Sequence, residues 1–153
     1  MLFSHFSTPL GVIGIEANDN SLVRIVWNPQ QKSTKQTKLL DEAHRQLEAF
    51  FNGTLTLFSL PYDPQGSPFQ LRVWRELHAI PYGQTISYSE LAQRIGSPRA
   101  VRAVASACRA NPLPLIIPCH RVIGQNGSLC GYQAGVAIKQ LLLDMEYSIQ
   151  TTK

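Results

Sequence analysis

The stretch Leu60-Pro61-Tyr62-Asp63-Pro64-Gln65-Gly66 constrains this chain most, because it has the composition of a linker. Two prolines that fix φ and remove amide donors, followed by glycine, are poor material for a helix or a central strand. The boundary placed there leaves 1–60 and 68–153 as two small domains joined by 61–67, and the patterns on its two sides differ. Before it, Val12 to Glu16 and Leu22 to Trp27 are β-rich runs separated by the turn-prone Asn18-Asp19-Asn20, and Leu2 to Ser7 is expected to pair with them. From Thr37 to Phe51, Leu39, Leu40, Ala43, Leu47, Phe50 and Phe51 recur at helical spacing and Asn52-Gly53 closes the segment. A short strand is expected around Leu55 to Phe58.

After the boundary the chain reads as mainly helical. Ser67-Pro68 supplies an N-cap followed by proline at the first helical position, opening a helix whose Phe69, Val73, Trp74 and Leu77 share one face and which ends near Ile80-Pro81. Ser87-Tyr88-Ser89-Glu90 has capping-box spacing and starts a helix of about two turns that Gly96 terminates. A second Ser-Pro, Ser97-Pro98, predicts the next helix at once, running to about Arg109. Two helices with so short a glycine-containing connection have the form of a helix-turn-helix, which many unrelated helical hairpins share. A last helix is expected from about Gly135 through Leu141-Leu142-Leu143 to Glu146. The fold class is therefore α+β: a small N-terminal α/β domain of antiparallel strands plus helix, then a mainly helical C-terminal domain.

Charge separates along the same division. Residues 1–67 hold five Lys/Arg against six Asp/Glu, net −1, whereas residues 68–153 hold nine against four, net +5. A basic half suggests a polyanion partner, the plain alternative being a solvated basic surface. The helix from Pro98 to Arg109 favours the first. Val101, Val104 and Cys108 would face a core, while Arg99, Arg102, Ala103, Ser106, Arg109 and Ala110 fall on the other side with no acid among them. Small side chains permit close approach to a DNA groove, and arginines reach phosphates or enter the base stack.

No stretch approaches the ~18 apolar residues of a membrane span, and Met1 to Pro9 lacks a basic flank followed by an apolar run, so a cytoplasmic protein (nuclear in a eukaryote) is expected. Cys108, Cys119 and Cys130 form no CxxC pair and leave an odd count, which argues against a disulfide framework and against a zinc site. Without a heptad pattern or extra apolar stripe, a monomer is expected.

Chemistry concentrates in Ile116-Ile117-Pro118-Cys119-His120-Arg121-Val122-Ile123, where one cysteine stands between an apolar run and a histidine-arginine pair. A thiol is a nucleophile only as thiolate, a form that nearby positive charge or a paired imidazole favours. An isolated cysteine is more often buried and inert, and Cys108, on an inner face, reads that way. His120 is the adjacent base. On an extended segment neighbours point opposite ways, so His120 is expected to act on Cys119 through a bridging water. On the residues alone, Glu146 reads as a surface carboxylate near a helix C-terminus.

Together with Asn111-Pro112-Leu113-Pro114 upstream, the segment resembles the active-site signature of the O6-alkylguanine-DNA alkyltransferases, whose core reads Pro-Cys-His-Arg-Val. Phe69-Gln70, Val73-Trp74, Ile80-Pro81-Tyr82-Gly83-Gln84-Thr85, Ser87-Tyr88, Leu91-Ala92, Arg102-Ala103-Val104, Gly131-Tyr132 and Leu141 to Glu146 fall in family order over the C-terminal half. The resemblance implies a Cys119–water–His120–Glu146 relay, Asn111 bracing the active-site turn, Tyr88 contacting a flipped nucleotide and Arg102 taking the extruded base's place. DNA contacts through Ala103, Ser106 and Arg109 accompany it. It also implies a substrate pocket using backbone near Cys119, Val122 and Gln133, with Pro114 and Tyr132 lining the alkyl site. Tyr88 and Tyr132 could equally be packing residues, and Asn111 a turn residue.

The implied partner is double-stranded DNA containing O6-alkylguanine, and the implied reaction is a stoichiometric, irreversible transfer of an alkyl group, mainly methyl, from guanine O6 to Cys119, without metal or other cofactor. O4-alkylthymine is a second candidate substrate. Gln133-Ala134 stands where family members vary, several having small residues or glycine. Three other readings compete: a damage sensor without a nucleophile, which the presence of Cys119 disfavours; a purely DNA-binding regulator, which leaves Pro118 to Val122 without a purpose; and a thiol hydrolase, which leaves the acid-free arginine helix unexplained.

Overall fold

Ile13, Ile15 and Ala17 stand two residues apart, so one face of their strand is apolar and must be covered. The computed structural model describes the backbone of residues 1–129 and 131–152, and side chains through Ser148. Cys130, expected to stand outside any disulfide framework, lies outside the described residues; Cys108 and Cys119 are free thiols. Strands β1 (Leu2–Thr8), β2 (Gly11–Ala17) and β3 (Leu22–Trp27) form an antiparallel sheet in that order, with Phe6 opposite Ile13 and Ile15 opposite Ile25. Helix α1 (Lys38–Phe51) buries Leu40, Ala43, Leu47 and Phe50. Thr37 caps it by accepting from the Leu40 amide at 3.3 Å. Gly14 is required, since a Cβ there would come within 2.4 Å of the Phe3 ring.

The strand expected around Leu55 to Phe58 does not form. The Leu55 amide turns back onto the Ala49 carbonyl at 3.2 Å, and just beyond the segment Gln46 on α1 accepts from the Ser59 amide at 2.9 Å and donates to its hydroxyl at 3.1 Å. Pairing comes later: the Leu22 amide donates to the Pro61 carbonyl and the Asp63 amide to the Leu22 carbonyl, both at 2.9 Å. Residues 61–63, expected as linker, thus lie alongside Leu22, and the two units divide at Gln65/Gly66.

In the second unit α2 (Pro68–His78) opens with a reciprocal cap: Ser67 Oγ accepts from the Gln70 amide at 3.1 Å and the Ser67 amide donates to Gln70 Oε1 at 2.9 Å. Ser67→Ala is expected to lower the unit's stability by about 1 kcal/mol in urea unfolding; no loss would show that the cap is idle. Val73, Trp74 and Leu77 are buried, and Trp74 Nε1 donates to the Ala107 carbonyl at 2.8 Å. Helix α3 (Tyr88–Arg94) is capped by Ser87, whose hydroxyl accepts from the Glu90 amide at 3.0 Å, and Gly96 takes φ +78° beyond its end.

Helix α4 (Val101–Arg109) begins later than Ser97-Pro98 predicts. Ser97 is engaged elsewhere: its amide donates to the Ala92 carbonyl and its hydroxyl accepts from Arg72, so Pro98-Arg99 form a turn closed by the Ala100 amide on the Ser97 carbonyl. The chain continues through the parallel pair β4 (Ile86–Ser87) and β5 (Val122–Ile123), each too short to carry a sequence signal, and ends in α5 (Val136–Thr152). That helix runs past Glu146, so Glu146 is not at its end. Among the described residues no helix is long and apolar enough to cross a membrane.

Candidate active site

Beyond α4 the chain enters a buried turn that Asn111 holds. Asn111 Nδ2 donates to the Ile117 carbonyl at 2.8 Å while its Oδ1 accepts from the Leu113 amide at 2.9 Å, and the Ile117 amide closes on the Leu113 carbonyl. Leu115 sits at φ +77°, a conformation that costs a branched residue about 1–3 kcal/mol and persists where surroundings enforce it. Pro118 then leads into a single 3₁₀ turn, Cys119–Arg121, rather than the extended segment expected. The Arg121 amide bonds back to the Pro118 carbonyl, so successive side chains project about 120° apart instead of opposite.

Cys119, His120, Arg121 and Glu146 are all buried, which corrects the residue-only reading of Glu146 as a surface group. The Glu146 carboxylate makes four hydrogen bonds to three residues among those described. Oε2 pairs with His120 Nε2 at 2.6 Å and accepts from Arg121 Nη2 at 3.0 Å; Oε1 accepts from Arg121 Nε at 2.9 Å and the Gly83 amide at 3.1 Å. Arg121 Nη1 donates to the Ile80 carbonyl at 2.8 Å. His120 Nδ1 is buried with no partner among the described residues. Burial raises the Glu146 pKa, but the bonds and charges of His120 and Arg121 outweigh it and hold the carboxyl at about 2. Burial lowers the His120 pKa, the Glu146 carboxylate opposes this, and Arg121 and Lys139 add to it. The ring is therefore neutral at neutral pH, with the Nε2 proton on Glu146 and Nδ1 an open acceptor.

Burial pushes the Cys119 thiol up to about 11, against the lowering influence of the Asn111 side chain, the Lys139 charge and a backbone bond. At neutral pH the sulfur carries its proton, so a nucleophile here must be made by removing that proton during the reaction. Cys108 is pushed higher still by burial and is inert.

The remaining residues singled out from the sequence divide by exposure. Arg99, Arg102, Ala103, Ser106, Arg109 and Ala110 are all exposed, whereas Val104, Ala107 and Cys108 face inward and Val101 is half-buried. Pro114, Val122 and Tyr132 are buried around the Cys119 turn, with Val122 paired to Ile86. Gln133 is exposed, and its amide donates to the carbonyls of Arg109, at 2.9 Å, and Asn111. Tyr88 is buried, its hydroxyl 3.4 Å from Lys139 Nζ. Sequence reasoning missed Lys139, fully buried on α5. Its signal was its place seven residues before Glu146, two turns away on the same helix face. It also missed Arg121's bonds to Glu146, which join residues far apart in sequence. Among the described residues no group of three or more His, Cys, Asp or Glu is placed to hold a metal ion.

Two family models cover nearly all of the chain: "6-O-methylguanine DNA methyltransferase, ribonuclease-like domain" matches residues 1–64, and "6-O-methylguanine DNA methyltransferase, DNA binding domain" matches residues 68–148. A methylated-DNA–protein-cysteine methyltransferase of Methanosarcina acetivorans is 41% identical, covering 97% of this chain and 99% of that protein. The constitutive methylated-DNA–protein-cysteine methyltransferase of Bacillus subtilis is 42% identical, covering 91% of each. The crystal structure of Mycobacterium tuberculosis OGT in complex with DNA superposes with a TM-score of 0.89 at 39% identity, covering 96% of this chain and 93% of that one.

Proposed function

The chain belongs to the 6-O-methylguanine DNA methyltransferase family, and from that premise we propose that it repairs DNA by carrying an alkyl group, chiefly methyl, from guanine O6 to Cys119, once per molecule. One observation carries this reading: a buried thiol followed directly by an imidazole whose Nε2 is fixed on a carboxylate and whose Nδ1 is open. A water between sulfur and Nδ1 passes the thiol proton to His120, and Glu146 stabilises the imidazolium that forms. The thiolate attacks the alkyl carbon, a C–S bond forms as the C–O bond breaks, and guanine keeps that bond's electrons and takes up a proton. The product thioether is not hydrolysed under mild conditions, so the protein is used up.

Duplex DNA is the partner, and the exposed arginine face of α4 is the surface that fits it. An alkylated base is stacked in the duplex and must be extruded before sulfur can reach it. Arg102 fills the gap, Ala103 and Ser106 allow close approach, and Arg109 takes a phosphate. Asn111 holds the turn that presents Cys119. Tyr88 contacts the flipped nucleotide, backbone at Val122 and Gln133 reads the base, and Pro114 and Tyr132 line the alkyl site. O4-alkylthymine carries its alkyl group in the same chemical setting and is a second substrate of this reading. Arg102→Ala is expected to slow transfer from a duplex about tenfold or more while sparing transfer from a free O6-alkylguanine base, which needs no extrusion; equal losses on both would remove Arg102 from that role.

The test is an intact-mass spectrum after incubation with a duplex bearing one O6-methylguanine. A gain of one CH2 unit per chain, mapped to Cys119 and not increasing with excess DNA, is the expected result. Unchanged mass despite tight binding would make the protein a damage sensor or regulator.

A further inference from the structure

We propose that Arg121 is a positioning residue of the relay: it locks both oxygens of Glu146 and, by neutralising that carboxylate, keeps His120 an uncharged base. The inference rests on the reading above that His120 accepts the Cys119 proton.

Geometry makes the first half of the case. Arg121 uses Nε on Oε1 at 2.9 Å and Nη2 on Oε2 at 3.0 Å, the two-pronged arrangement that fixes a carboxylate plane as well as its position. Its third nitrogen is anchored on the Ile80 carbonyl at 2.8 Å, and the Gly83 amide adds a donor to Oε1. The turn after α2 therefore sets where the carboxylate sits, and the carboxylate sets where the Nε2 proton of His120 points.

Charge counting makes the second half. A buried histidine beside a carboxylate alone would be drawn into an ion pair, because opposite charge favours the protonated ring. Here Glu146 already has a buried cation bonded to both oxygens, and Lys139, also fully buried, brings another positive group from α5. A protonated His120 would be a surplus buried cation, which a dry site disfavours strongly. The charges that act on the ring are Glu146 and Lys139 from α5 and Arg121 from its own turn, and the titratable phenols of Tyr82, whose ring lies under Arg121, and of Tyr132 both sense Glu146. A neutral ring is what a proton acceptor needs before reaction, and the same balance keeps it from being protonated in advance.

The test pairs two measurements on the full chain: the nitrogen-15 NMR titration of the His120 ring, and single-turnover methyl transfer from an O6-methylguanine duplex across pH. Arg121→Met is expected to raise the ring's titration midpoint by at least about one unit, so that transfer falls by up to about tenfold at pH below the parental midpoint and recovers as pH rises above the new one. Arg121→Lys retains the charge without the fork: the midpoint should stay put, while the Nε2–Glu146 hydrogen-bond signal weakens and transfer falls by one factor at every pH. A parental midpoint and profile in Arg121→Met overturn the inference, and if that variant does not fold, a parental Nε2 signal and rate in Arg121→Lys do so. A midpoint that rises without any change in the transfer profile leaves Arg121's hold on the ring standing and removes His120 as the base, which separates failure of the inference from failure of the reading beneath it.

Discussion

Cys119→Ser is expected to bind undamaged duplex DNA as the parent does and to acquire no methyl group from O6-methylguanine. A serine hydroxyl is far less acidic than a thiol, and the buried position that already pushes Cys119 up to about 11 would oppose an alkoxide still more. The proposed relay through neutral His120 would be matched to a thiol proton and would not generate the harder base. A loss of at least about a thousandfold in the single-turnover rate, roughly 4 kcal/mol at the transition state, should appear in a quench-flow assay with radiolabelled methyl. Residual transfer at a tenth of the parental rate would mean that another group accepts the methyl, and Cys108 would be the next thiol to replace.

Glu146→Ala should be the most destabilising substitution in the second unit. It strips Arg121 of its counter-charge and leaves a buried guanidinium held by the Ile80 carbonyl and the face of the Tyr82 ring, a defect worth about 3–5 kcal/mol. Thermal unfolding should fall by roughly 10 °C for a chain of this size. An unchanged melting point would show that water reaches Arg121 freely. The same pair predicts a pH dependence. Glu146 titrates at about 2 in the folded chain, below the ordinary 4.5, so its contribution is fully present above pH 4.5 and is lost as pH falls toward 2. His120, lowered by burial, acts in the same direction from its ordinary 6.5 downward. The stability gap between parent and Glu146→Gln should therefore be widest above pH 4.5 and close toward pH 2, which acid titration by circular dichroism measures.

Local signals read directly where local physics rules. Ser67 and Ser87 cap the helices expected of them because each side chain meets an amide three residues on. Ser97 does not, because its hydroxyl and amide meet Arg72 and Ala92, residues no window around Ser97 contains. Leu55 to Phe58 forms no strand, its Leu55 amide turning back onto the Ala49 carbonyl at the end of α1.

The residues alone determined strands β1 to β3, the presence of the five helices, the charged outer face of α4 and the adjacency of Cys119 and His120, since each depends on side-chain type and on spacing within a few residues. Tertiary structure decided that Cys119–Arg121 coils into a 3₁₀ turn, that Lys139 is buried, and that Glu146 lies inside a helix where it meets His120, Arg121 and Gly83 at once. Those contacts span 25 to 63 positions along the chain. Whether a carboxylate is a solvated surface group or the ionised centre of a dry network depends on what the folded core brings around it, and no local pattern encodes that.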